Sequence, residues 1–346
     1  MTPTIGFFTR VLDRTSAPER YRIALEQIEL AERLGYESAW VAQHHLDGAE
    51  GGLPSPFVLL AAAAARTERI RLGTAILTLA HEHAVRAAED ALVLDALAGG
   101  RAELGLGTGG SPRTLSAFGE DPQQRRAIYD AKLARLRSLL AGTDDLALYP
   151  QAPALAGRIW QATFSVEGAR AIGAQGDGLM LSRVQPPPPE HASPVPPRVW
   201  DVQRRLVDAY LEALPASIPP RILASRSVVV VDRSERRAVR AHAEVGIGAQ
   251  VAQLHGIAAA SLTLDELLVR SETHLGTPDE VAASLAADTV ASGATEVSIQ
   301  VHSVDPDPSV TARSLELFAT EVAPALGWRV GAGTAASTDQ EQRHVA

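Results

Sequence analysis

The residues best equipped for chemistry are two adjacent histidines at the end of Trp40-Val41-Ala42-Gln43-His44-His45. An imidazole changes charge near neutral pH, so a histidine leaving a buried strand is a natural general acid or base. Neighbouring side chains in extended backbone point opposite ways, so only one of the pair needs to face a cavity. A pair of satisfied polar residues in a loop reads equally well. Metal chemistry would need His44, His45, His81 and His83 to converge with Asp47 or Glu82, and their spacing matches no short metal motif, so no metal is expected.

Two further stretches suit an anion. Gly105 to Ser111 reads GLGTGGS and follows an apolar run. Its glycines allow close backbone approach, but GxGxxG is matched only loosely and no GK[ST] follows, so neither a dinucleotide fingerprint nor a P-loop is supported. Ser165 opens a helical pattern with Gly168 three residues on. Helix N-termini bind phosphate through free N–H groups, and a serine there is also an ordinary N-cap; both readings stand.

The elements that must position these groups alternate. Short apolar runs at 4–9, 37–42, 70–77, 102–107, 158–163, 177–182, 222–231 and 295–302 read as strands. Helical patterns fill the gaps, and Gly276-Thr277-Pro278-Asp279-Glu280 is a strong helix start. Eight such units predict a (β/α)8 TIM barrel, whose ligands lie at the C-terminal strand ends. Residues 183–197 hold seven prolines and read as a stiff insertion loop. The expected organisation is one barrel domain over 1–327 and a disordered, flexible tail over 328–346.

Composition narrows the classes. The 346 residues carry a net charge of −9 and no basic arm or stripe, which argues against nucleic acid. There is no cysteine, so disulfides and thiolate metal sites are excluded. The longest uncharged apolar stretch, 57–65, is too short to span a bilayer, no cleavable leader is expected, and a cytoplasmic location is the expectation.

The segments AERLGYESAWVAQHH, TERIRLGTAILTLAHEHAVRAAEDALVLDALAGGRAELGLGTG, SVEGARAIGAQGDGLMLS and GTPDEVAASL, in this order, resemble the bacterial-luciferase-like flavin-dependent monooxygenase family over about residues 4–327. The resemblance implies a barrel binding reduced FMN, or a deazaflavin in one branch. It implies oxidation of a small organic substrate with O2 through a flavin C4a-(hydro)peroxide. A deazaflavin-dependent hydride transfer and a non-catalytic flavin-binding relative are the alternatives it leaves. A separate flavin reductase and a homodimer are the implied partners.

Carried onto this chain, the resemblance makes His44 catalytic and sets Ala42 beside the flavin. It implies a non-proline cis peptide at Ala75-Ile76 under the ring, a phosphate turn of Thr163, Ser165 and Gly168, and Ser182 and Arg183 at the ring's edge. Luciferase has arginine where Thr108 stands and glutamate where Phe164 stands, so hydroxyl and N–H donors are expected to hold the phosphate here. Residues 183–197 are the expected lid. Gln43 is an amide that can point into the same mouth.

Overall fold

The computed structural model describes residues 2–186, 197–255, 258–301 and 307–332. Nine parallel strands run in chain order: β1 (Thr4–Thr9), β2 (Ser38–Val41), β3 (Arg71–Thr78), β4 (Ala102–Gly107), β5 (Ile159–Ala162), β6 (Gly178–Leu181), β7 (Ile222–Val230), β8 (Thr273–Gly276) and β9 (Glu296–Gln300). β1 to β7 pair in sequence, β9 follows β7, and β9 pairs back onto β1, which closes an eight-stranded barrel. The (β/α)8 expectation holds.

β8 is the strand that the sequence pattern does not announce. β7 pairs with β9 through residues 223–227 and with β8 through residues 227–230, so β8 lies beside the barrel rather than in it. Four residues, Thr-His-Leu-Gly, carry no readable alternation, and they merge into the helix start at Thr277, whose N–H donates to Glu280 Oε2 at 2.9 Å.

Among the described residues, the α-helices of five or more residues are α1 (Ala17–Arg33), α2 (Pro56–Ala64), α3 (Ala84–Leu97), α4 (Pro112–Ala117), α5 (Arg125–Leu140), α6 (Val166–Ala174), α7 (Val199–Ala213), α8 (Arg236–His255), α9 (Leu264–Ser271), α10 (Pro278–Ala286), α11 (Thr289–Gly293) and α12 (Pro308–Leu317). The short helices α4, α9 and α11 were not foreseen. In α1, Ile23, Ala24, Gln27, Ile28 and Ala31 recur at helical spacing and are all buried. Gly35, at φ +84°, ends its run in a conformation that a side chain resists. No helix among the described residues is long and apolar enough to cross a membrane.

Strand alternation produces two separate apolar clusters. Ile5, Phe7, Ala39, Val41, Leu72 and Leu104 face outward onto the helices and belong to the main core. Phe8, Trp40, Ala42, Trp160, Met180 and Leu223 form a second cluster inside the barrel. The two indoles meet edge to face with ring centroids 5.8 Å apart.

Their N–H groups are held from below. Trp40 Nε1 donates to Glu296 Oε1 at 2.6 Å, and Trp160 Nε1 donates to Glu103 Oε2 at 2.7 Å. Arg71 bridges the two carboxylates, at 3.1 Å from Glu103 and 2.5 Å from Glu296. Buried carboxylates need such partners because an unpaired charge in a low-dielectric interior is costly.

Glycines on the neighbouring strands give the indoles room. Gly73 is the register partner of Trp40, and Gly178 is that of Trp160. A Cβ at Gly73 would lie 2.2 Å from Trp40 Cζ3, and one at Gly178 would lie 2.2 Å from Trp160 Cε3.

Residues 187–196 of the expected lid lie outside the described residues, as does the expected tail from residue 333 onward. Residues 328–332, placed by sequence in that tail, lie on the barrel. Trp328 is buried, the Arg329 N–H donates to the Pro3 carbonyl at 2.8 Å, and the Gly331 N–H donates to the Gly35 carbonyl at 2.8 Å.

Gly73→Ala tests the interior arrangement. Overpacking a core typically costs about 1–3 kcal/mol. Trp40 is fixed by its hydrogen bonds, so the loss is expected at the upper end, read as a lower urea midpoint at unchanged slope.

Candidate active site

The C-terminal ends of the barrel strands surround a cavity of about 960 Å³. That lies near the top of the ~300–1,000 Å³ range of small-molecule sites and leaves room for a cofactor and a substrate together. Of the sequence-derived site residues, Ala42, His44, Ala75, Ile76, Thr108, Thr163, Ser165, Ser182 and Arg183 all line it.

His44 follows β2, and its backbone N–H donates to the Leu53 carbonyl at 2.9 Å. Its Nδ1 is buried without a partner against Gly51, where an added Cβ would come within 2.4 Å. Nε2 is therefore the nitrogen open to the cavity. Burial pushes the imidazole pKa down to about 4, and the positive charges of Arg10 and Arg183 and the neighbouring His45 add to the effect. A neutral imidazole at working pH can take a proton through Nε2.

His45 turns away. Its ring meets Phe118 edge-on at 4.7 Å and His81 at 5.6 Å, while His81 stacks on Phe118 at 5.4 Å. His45 Nε2 and both His81 nitrogens are buried without partners. Burial lowers the pKa of both, that of His81 to about 4.

Gln43 is spent on structure. Its Nε2 donates to Glu82 Oε1 at 2.7 Å and to the Pro54 carbonyl at 3.3 Å, and its Oε1 accepts the Thr78 N–H at 2.7 Å. It ties the end of β2 to the end of β3. No group of three or more metal-ligating side chains is gathered among the described residues.

The Ala75-Ile76 peptide is cis. It coincides with a shift in the β3–β4 pairing between Thr74 and Leu77. Ala75, Ile76 and Ala162 pack on the inner cluster and form a smooth apolar shelf above the indoles.

Beside that shelf lie the donors. Ser165 caps α6 by accepting the Gly168 N–H at 3.0 Å. Ser111 caps α4 by accepting the Thr114 N–H at 3.2 Å. Thr108 and Thr163 line the same cavity; Thr108 Oγ1 donates to the Gly109 carbonyl at 3.3 Å, and Thr163 Oγ1 accepts the Ser165 N–H at 3.2 Å. Gly168 does not reach it. Its N–H is spent in the cap, and a Cβ there would lie 2.1 Å from Thr163 Oγ1, so its smallness serves packing.

Sequence reading missed Phe8, Arg10, Arg125, Arg126, Met180, Leu223, Ser225 and Ser298, which also line the cavity. Strand parity would have found most of the strand residues, since Phe8, Met180, Leu223 and Ser298 share the inward side of their strands. Arg125 and Arg126 arrive from α5, and no local pattern signals that.

The sequence model of the luciferase-like monooxygenases matches residues 4–296. The chain belongs to this family. A curated relative, 4-hydroxyprotoasukamycin monooxygenase from Streptomyces nodosus subsp. asukaensis, is 40% identical over 120 residues, 35% of this chain and 32% of that protein. The chain thus spans about a third of that relative's length. Among solved structures, monooxygenase RslO1 from Streptomyces bottropensis is 25% identical with a TM-score of 0.74, covering 93% of this chain and 99% of that one.

Two more distant structures share the fold. One is the oxygenating constituent of 3,6-diketocamphane monooxygenase from Pseudomonas putida in complex with FMN, with 20% identity, a TM-score of 0.73, and coverage of 94% and 99%. The other is the coenzyme F420-dependent tetrahydromethanopterin reductase from Methanopyrus kandleri, with 17% identity, a TM-score of 0.67, and coverage of 94% and 100%.

The His44 environment has a direct readout. Its folded pKa lies below that of the unfolded chain, so the unfolded state takes up this proton first. The associated stability is present above about pH 6.5 and is lost as pH falls toward 4. In an NMR titration the His44 ring is expected to stay neutral at pH 6, and a midpoint near 6.5 would contradict the burial described.

Proposed function

We propose that this chain is an FMN-dependent monooxygenase that uses reduced flavin and O2 to oxidise a small organic substrate. The observation that carries the reading is the division of one cavity into an apolar shelf, a donor-rich end and an accessible imidazole nitrogen. A planar aromatic ring fits over Ala42, Ala75, Ile76 and Ala162. A phosphate fits the N-terminus of α6 and the hydroxyls of Thr108 and Thr163, with Arg125 and Arg126 on the same cavity supplying the positive charge that Thr108 lacks. Ser182 would meet the ring at its edge. The residues present therefore suit FMN.

Reduced flavin, when bound, supplies the electrons with which O2 is activated. The chain's own part is exclusion, orientation and proton handling. Phe8, Trp40, Met180 and Leu223 make the floor apolar, and a dry site suppresses hydrolysis of reactive species. His44, neutral and with Nε2 toward the cavity, accepts or returns a proton at the reacting centre. Gln43 holds the two strand ends that carry His44 and the cis peptide at a fixed distance.

A separate reductase would deliver the reduced flavin. The homodimer belongs to the same proposal, and α2 supports it. This helix is apolar on all sides, and Val58 on α2 with Val93 and Leu97 on α3 stand exposed on adjacent helices. A helix apolar all round belongs in an interior, here that of a dimer. Val58→Glu combined with Val93→Glu is expected to give a monomer by light scattering, with an unchanged circular dichroism spectrum. A wild-type monomer at micromolar concentration would refute the dimer.

For the reaction, protein mixed with photoreduced FMN in air is expected to give a transient near-UV absorbance. Tight deazaflavin binding with none of FMN would instead assign the hydride-transfer chemistry. Once a substrate is in hand, His44→Ala is expected to lower kcat by ~10²–10⁴-fold, the usual worth of a positioned acid–base group, while FMN affinity stays within a few-fold.

A further inference from the structure

The barrel order divides the cavity rim into two arcs. β3, β4 and β5 carry the cis peptide, the Thr108 loop and the Ser165 cap. The remaining arc runs β6, β7, β9, β1, β2 without a break. Along it, in spatial order, stand Arg183, Ser225, Ser298, Arg10 and His44, all lining the cavity.

This second arc is polar, positive and short of acceptors. Arg183 Nη1 is buried with no hydrogen-bond partner. The hydroxyls of Ser225 and Ser298 are likewise buried without partners, and the two residues are cross-strand neighbours in the β7–β9 register. Arg10 donates to the main-chain carbonyl of Glu50. Among the described lining residues of this arc, two arginines, Arg10 and Arg183, stand with one carboxylate, the exposed Glu50. Burial and the charge of Arg10 pull the Arg183 pKa down to about 10, which still leaves the guanidinium charged near neutral pH, and no ion pair to it is found among the described residues. Buried polar groups are normally satisfied, and orphaned donors clustered on one wall call for an acceptor from outside the chain.

We propose that the arc from β6 to β2 binds the anionic oxygen group, a carboxylate or an equivalent oxyanion, of the substrate, and that Arg183 is its principal anchor. Ser225 and Ser298 donate alongside it, and Arg10 adds charge. The substrate is then an acid with an apolar body. The body lies over the inner cluster, and the anion is held beside His44 on the side away from the flavin phosphate. This reading moves Arg183 from the flavin's edge to the substrate, and it rests on the flavin assignment of the opposite arc. It also ties substrate binding to the base, because an anion at Arg183 offsets two positive charges that depress the His44 pKa.

The test uses the flavin-free chain with octanoate and octan-1-ol as probes of equal length, followed by calorimetry. Octanoate is expected to bind about tenfold or more tightly than the alcohol, in line with a charge-assisted hydrogen bond to a buried guanidinium. Arg183→Met removes that preference, Arg183→Lys restores part of it, and Ser298→Ala weakens octanoate alone. The His44 ring titrates at higher pH with octanoate bound. FMN affinity, measured separately by fluorescence quenching, stays within about twofold in Arg183→Met. Equal binding of acid and alcohol overturns the proposal. So does an Arg183→Met protein that binds octanoate normally, or one that loses FMN instead. Wild-type protein that binds octanoate but not FMN sinks the flavin reading and leaves the anion site standing.

Discussion

The interior of the barrel depends on one exchange of volume. Two tryptophans fill a space that eight short strands would otherwise leave open, and the glycines at their register positions yield the room they occupy. The indole N–H groups cannot be buried for nothing, so each is met by a carboxylate, and Arg71 answers both carboxylates. The result is a rigid plug whose upper face is apolar. Everything above it, including the Ala75-Ile76 peptide and the shelf beside it, takes its height from that plug. A substitution at Gly73 or Gly178 acts on the cavity through the indoles, without touching a ligand.

Above the plug, the closed strand order decides which chemistries can coexist. Thr108, Thr163 and the Ser165 cap share one cavity with the basic arc of Arg10 and Arg183, but they leave different strands. A molecule recognised by one need not compete with a molecule recognised by the other. His44 stands at the end of the second arc, with Nδ1 shut against Gly51 and Nε2 open. Its low basicity has its first cause in burial and its second in the same arginines that make the arc attractive to an anion. Charge on that wall therefore sets both what binds and how readily the imidazole holds a proton.

Much of the fold was legible because its signals are local. Apolar runs of four to nine residues, glycine stops and the Thr277 helix start reported eight strand–helix units at nearly the right places. β8 escaped because four residues carry too little alternation to register. The extent of the ordered C-terminus escaped because Arg329 and Gly331 are held by residues 3 and 35, partners more than 290 positions away. In the site, His44 and the Ser165 cap were readable from their place after strands. Gln43 was ambiguous until its hydrogen bonds showed that the amide N–H groups go to Glu82 and Pro54. Gly168 also makes room for Thr163, which no local pattern signals.

By itself the sequence determined the alternation of elements, the absence of thiol chemistry, and the presence of an imidazole and two anion-ready turns at strand ends. These follow from residue type and short-range spacing, which tertiary contacts leave unchanged. Only the tertiary structure decided that His45 packs against His81 and Phe118, that Arg10 and Arg183 act on the His44 imidazole, and that Ser225 meets Ser298. Those facts come from closing the sheet, which joins β9 to β1 and makes neighbours of residues that no local pattern connects.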